Sequence, residues 1–148
     1  MKKLAAMAGL FIFCAIPALA EEPNVVELTQ TACQFIEPEG GDLHLKDATP
    51  EQCRAENSRS GDRRLEQAKT LRLEAGAYIF RVTNRDVAYV LGFWLRGNGL
   101  VNRATLPAVS GGGIDTGESK EYSIVLEPGE YVYSCPLNPT PDYKLIVE

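Results

Sequence analysis

The sequence predicts an all-β domain: a β-sandwich of about seven or eight strands with one helical insertion near its N-terminal end. Three observations predict it. From Lys69 onward apolar residues recur with period two, as in Leu71 and Leu73 and then Tyr78, Phe80 and Val82. Turn clusters such as Glu74-Ala75-Gly76 and Glu127-Pro128-Gly129 punctuate these runs. Only the stretch opening at Thr49-Pro50-Glu51-Gln52 has the chemistry of a helix start.

The first twenty residues stand apart. Lys2 and Lys3 give a positive start, Leu4 to Ile16 is apolar, and Ala18-Leu19-Ala20 is a small-residue cleavage site. This pattern predicts a secretory signal peptide over 1–20, which takes Cys14 with it. A retained anchor is the weaker alternative, because a spanning helix needs about 20 apolar residues. The domain proper is then 21–148.

Asn24 to Gln34 has the β-branched content of an edge strand. Glu37 to Asp42 is a turn cluster. In the insertion, at about 49–67, Thr49 caps, Pro50 suits the first helical position and Gln52 completes a capping box. The helix is expected to run toward Ser58, break near Ser60-Gly61 and resume through Gln67. Arg54, Arg59, Arg63 and Arg64 face Glu51, Glu56, Asp62 and Glu66, which reads as a solvated face with salt-bridged neighbours; a docking surface is the alternative. Val87 to Leu95 is nearly all apolar and reads as a strand buried on both faces. Ser110 to Gly113 reads as a flexible loop. Glu121 to Leu126 and Glu130 to Ser134 form a hairpin, and Tyr143 to Val147 is the last strand.

Charge and inventory exclude whole classes of function. Loss of Lys2 and Lys3 takes the formal charge from −5 to −7. An acidic domain of this size is a poor binder of nucleic acid or anionic lipid. No second apolar run is long enough to span a bilayer once the signal is cleaved. After cleavage the chain has no Met, a single His (His44), and Cys33, Cys53 and Cys135. No Ser-His-Asp order, phosphate-binding loop, paired-carboxylate motif or zinc signature is present, so the expectation is that the chain is not an enzyme.

The C-terminal segment Leu126 to Glu148, LEPGEYVYSCPLNPTPDYKLIVE, is the most specific feature. Pro128, Gly129, Tyr131, Tyr133 and Cys135 match the strand that precedes the last copper-binding loop of blue-copper proteins. Tyr78 to Asn84 is similar to that family's strand ending in Val-x-Asn, and Gly111 to Gly113 with Gly117-Glu118-Ser119 is similar to its segment before the penultimate strand. The chain therefore resembles the cupredoxins of the plastocyanin and amicyanin type over roughly Lys69 to Glu148. The resemblance implies a Greek-key sandwich. It also implies four ligand positions, which fall at Val90, Cys135, Asn138 and Pro141. A type 1 copper centre needs two His, one Cys and a weak axial ligand, usually Met. Only Cys135 fits, so the resemblance is to the scaffold: copper electron transfer is not expected, and no cofactor is expected, with copper as the alternative.

The remaining chemistry is sparse. Cys33 and Cys53 are expected to pair, closing a loop of about 20 residues and contributing about 3 kcal/mol in the chain-entropy model. A Cys33–Cys135 bridge of immunoglobulin type is the alternative, although Trp94 lies far too late for that pattern. Cys135 then reads as a small buried hydrophobe, with a shared soft-metal ligand or a disulfide partner as alternatives. His44, flanked by Asp42 and Asp47, reads as a surface residue that could alternatively reach a metal. The aromatic residues follow strand periodicity and are assigned to the core, except that one of Phe93 and Trp94 is expected to face outward.

The first functional expectation is a periplasmic or secreted binding or accessory module without a type 1 copper site, whose partner is another exported or membrane protein. The second is a copper-handling protein using Cys135 or His44 at a shared or non-blue site. The family's partner-facing end predicts the docking surface: the loops after Asn84 and Cys135, the second stiffened by Pro136, Pro139 and Pro141.

Overall fold

Alternation along Tyr78, Phe80 and Val82 turns three large side chains into one interior, and the rest of the chain is arranged around that face. In a computed structural model that describes residues 22–148, these residues are buried within a strand whose intervening positions are part-exposed. In chain order the elements are β1 (Asn24–Thr31), β2 (Gln34–Phe35), α1 (Ile36–Glu39), α2 (Pro50–Gln67), β3 (Leu71–Leu73), β4 (Gly76–Asn84), β5 (Leu91–Gly97), α3 (Gly99–Thr105), β6 (Val109–Ile114), β7 (Ser119–Leu126), β8 (Gly129–Ser134) and β9 (Tyr143–Val147). The signal-peptide reading of 1–20 lies outside the described residues.

The strands form a four-stranded sheet in the order β2-β1-β4-β7 and a five-stranded sheet in the order β3-β9-β8-β5-β6. The chain crosses between sheets after β2, β3, β4, β6 and β7, which gives the sandwich its Greek-key connectivity. β1 runs parallel to β4, with Leu28 opposite Val82, and β3 runs parallel to β9; the other pairings are antiparallel. Phe35, Phe80, Phe93, Tyr133 and Tyr143 meet between the sheets at centroid separations of 5.5–6.4 Å, mostly edge-on or tilted. Such pairs each add about 0.5–1.5 kcal/mol beyond the area they bury.

Several expectations need correction. α2 does not break at Ser60-Gly61; it is continuous from Pro50 to Gln67 behind the expected capping box. Its inward residues are Cys53, Ser60, Gly61 and Arg64, so the face it buries is small and polar rather than apolar. The strand expected from Val87 begins only at Leu91, because Asn84 folds the preceding residues into a loop. Asn84 Nδ2 reaches the carbonyls of Val87, Tyr89 and Ile114, and its Oδ1 accepts from Val87 N–H. Ser110 to Gly113 is not a flexible loop but part of β6, at the edge of its sheet. Two of its carbonyls take side chains from β7: Gly111 accepts from the Tyr122 hydroxyl at 3.3 Å and Gly112 from Lys120 Nζ at 2.6 Å. α3 carries no sequence signal. It lies so close to β5 that a Cβ on Gly97 would overlap the Asn102 carbonyl.

Of the aromatic pair, Phe93 is buried and Trp94 faces outward, where the Arg96 guanidinium stacks 3.9 Å from its ring centroid.

Candidate functional site

β4 and β8 end at the same pole of the sandwich, where the loops after Asn84 and Ser134 meet the turn between β1 and β2. All four ligand positions implied by the sequence fall in these loops or at their margins. Val90 is 44% exposed and Leu137, beside Asn138, is 48% exposed, whereas Cys135 and Asn138 are buried. Pro141 is buried at the foot of the loop.

Asn138 is the centre of this pole. Its Oδ1 accepts from Cys33 N–H at 2.7 Å, and its Nδ2 donates to the Thr31 carbonyl at 2.8 Å and to Gln30 Oε1 at 3.3 Å. Its own N–H points at Cys135 Sγ, 3.3 Å away. Gln30 continues the chain of bonds by donating to the Gly92 carbonyl at 2.8 Å, and Gly92 N–H lies 3.4 Å from Cys135 Sγ. The Tyr89 hydroxyl lies 3.4 Å from both Asn138 Oδ1 and the Ala48 carbonyl and has one proton for the two. A single amide thereby joins the N-terminal turn, the loop before β5 and the loop after β8.

The Cys33–Cys53 disulfide closes the same region, with Cα atoms 4.8 Å apart. Cys53 Sγ lies 3.6 Å from Asn138 Oδ1. A disulfide sulfur carries no proton, so this is a packing contact. Cys33 adopts a left-handed backbone, φ 68°, which turns its N–H toward Asn138. α2 braces the loop from outside: Asn57 Nδ2 donates to the Pro139 carbonyl at 2.6 Å. Further along, Arg64 pairs with Glu39, both nearly buried, and donates to the Cys33 carbonyl at 3.0 Å; Tyr143 bonds the same carboxylate. The helix therefore has one solvated face, as expected, and one that anchors the loop, which sequence reading missed.

Cys135 is the one free cysteine among the described residues. Burial pushes its thiol up from the ordinary value, against the opposing effect of N–H groups from Gly92, Asn138 and Leu137. It is held as a neutral thiol that accepts two backbone hydrogen bonds. His44 lies on the exposed loop before α2, 3.6 Å from Asp42. Among the described residues no group of three or more His, Cys, Asp or Glu side chains is placed to hold a metal ion. The donor chemistry does not fit a type 1 copper: the Val90 and Pro141 side chains have no ligating atom, and both ends of the Asn138 amide are committed to the protein.

Beside this pole lies a cavity of about 390 Å³ between the 42–50 loop and the 86–89 loop. The sequence singled out Asp42, His44 and Asp47 and the loop after Asn84 separately, but not that they share a cavity, because these segments lie some forty residues apart.

No protein-family model matches the chain, and no curated protein sequence does. Among solved structures it is similar to auracyanin B at 16% identity, covering 88% of this chain and 93% of that one with a TM-score of 0.51. It is also similar to auracyanin A, described as a blue copper protein from the green thermophilic photosynthetic bacterium Chloroflexus aurantiacus (15% identity, 86% and 100% coverage, TM-score 0.48). An oxidised amicyanin variant gives 16% identity, 88% and 87% coverage, and a TM-score of 0.44. The fold is that of the cupredoxins.

Proposed function

We propose that this chain is a non-enzymatic binding or accessory module on a cupredoxin scaffold without a type 1 copper site, and that it docks another exported or membrane protein through the Val90–Leu137 pole. The observation that carries the reading is Asn138. The residue that the resemblance puts at a ligand position is a buried crosslink, which supports reading the pole as a rigid platform instead of a metal cup. On that platform Val90 and Leu137 stay exposed. The β8–β9 loop that carries Leu137 also holds Pro136, Pro139 and Pro141, so it loses little entropy when a partner binds. The Cys33–Cys53 disulfide supports residence in the periplasm or outside the cell, where such bonds persist.

Two measurements test the reading. Val90→Asp with Leu137→Asp is expected to abolish crosslinking to the native partner in exporting cells while thermal stability stays nearly unchanged; equal crosslinking would move the interface elsewhere. Thr140 is left intact, because its hydroxyl accepts from Cys135 N–H at 3.1 Å and shapes the loop. Copper titration separates the proposal from copper handling through Cys135 or His44. Added Cu(II) is expected to give neither an intense thiolate charge-transfer band nor saturable stoichiometric binding; a stable stoichiometric complex, blue or not, would overturn the assignment.

A further inference from the structure

The cavity between the 42–50 and 86–89 loops has a composition that selects a ligand. Its apolar lining includes Leu45, Ala48, Pro50, Val87, Ala88 and Tyr89. Thr31 also lines it, and the Thr31 hydroxyl is buried with no hydrogen-bond partner in the protein. The acids Asp42, Asp47 and Asp86 line it against Lys46 and His44, the last 3.6 Å from Asp42. Arg85 offsets two of these acids, pairing with Asp42 and lying 3.6 Å from Asp86, while Asp47 makes no ion pair among the described residues. The volume lies at the small end of the range for organic ligands, about 300–1,000 Å³.

An anion is disfavoured even though α2 begins at the rim. Two of the first three positions of that helix end offer it no donor: Gln52 N–H donates to Thr49 Oγ1, and Pro50 has no N–H. Glu51 adds a further negative charge to the first turn.

We infer that this cleft binds a small organic cation with an apolar body, of the aryl-alkyl amine class. The ring lies against Ala48, Val87 and Tyr89, and the ammonium reaches the rim at Asp47 and Asp86. The inference does not depend on the docking pole, which uses different residues.

The test is a titration of the mature, disulfide-intact protein followed by amide NMR shifts, with phenethylamine as the cationic probe, phenylacetate as the anionic one and 2-phenylethanol as the neutral one. Phenethylamine is expected to give saturable shifts centred on Ala48, Val87, Ala88 and Tyr89 and to bind more tightly than the other two. Asp47→Asn and Asp86→Asn are each expected to weaken it about two- to fivefold, as for exposed charge pairs. Ala88→Trp fills the cleft from an exposed position and is expected to abolish the shifts; Ala48→Phe is the second filling variant. Equal binding of phenylacetate would overturn the charge class. Absence of saturable shifts with any probe, or shifts that survive both filling variants, would overturn the site.

Discussion

Asn138 and Cys135 make the same kind of demand in opposite ways. The Asn138 amide satisfies buried groups on the N-terminal turn that water does not reach. Asn138→Ala is therefore expected to cost about 2–3 kcal/mol, since it strands at least the Cys33 N–H and the Thr31 carbonyl. Urea unfolding measures the loss, and a cost below about 0.5 kcal/mol would mean the groups find other partners. Cys135 is instead stabilised by remaining neutral. Its folded-state pKa lies above its ordinary 9.0 because burial disfavours the thiolate. Stability from this group is thus full below the unfolded value and falls as pH rises from there toward the folded one. Tyr133 and Tyr143, also pushed up by burial, extend the loss to higher pH. Unfolding at pH 7 to 10 is expected to show a steeper decline for the wild type than for Cys135→Ala; parallel curves would place the alkaline loss elsewhere.

At the scale of elements, α2 is held by specific ties rather than by an apolar face. Its inward column of Cys53, Asn57, Ser60, Gly61 and Arg64 supplies a disulfide, a hydrogen bond and an ion pair. Arg64→Met alone is expected to destabilise by about 3–5 kcal/mol, because Glu39 is left buried and unpaired, whereas adding Glu39→Leu should recover much of that loss. A double-mutant cycle measures the coupling, and additive losses would show that the pair is not the anchor. The strands with alternating large residues, β4 and β8, were legible in the sequence because their side chains carry the period. β6 was not, since Gly111 to Gly113 have no side chains to alternate. Its strand character comes from β5 and from the two side chains of β7 that take its carbonyls. α3 escaped because Leu100 and Val101 are exposed, so no amphipathic pattern marks it. The role of Asn138 was out of reach for another reason: its partners lie 105–108 residues away in sequence.

Across the whole molecule, one covalent tie joins the helical insertion to the sandwich. Reducing Cys33–Cys53 is expected to lower global stability by about 2–4 kcal/mol. The loop pole should open before the β8–β9 hairpin, because Cys33 N–H is one of the groups that positions Asn138. Hydrogen exchange at Cys33 and Asn138 before and after reduction checks the order; uniform acceleration through β8 would show that the bond acts only on the unfolded chain.

The Asn138 crosslink also sets the direction in which this scaffold can change. A neutral imidazole has one donor and one acceptor nitrogen, whereas the amide has two N–H groups and a carbonyl oxygen with two lone pairs. Placing His at 138 thus gives up part of the framework at once, while any return in metal affinity waits on matching changes at positions 90 and 141. The step at 138 therefore lowers folding stability before it can return any affinity for a metal. The buried amide in this sense works as a latch: a change at 138 releases the N-terminal turn before it can gain anything else.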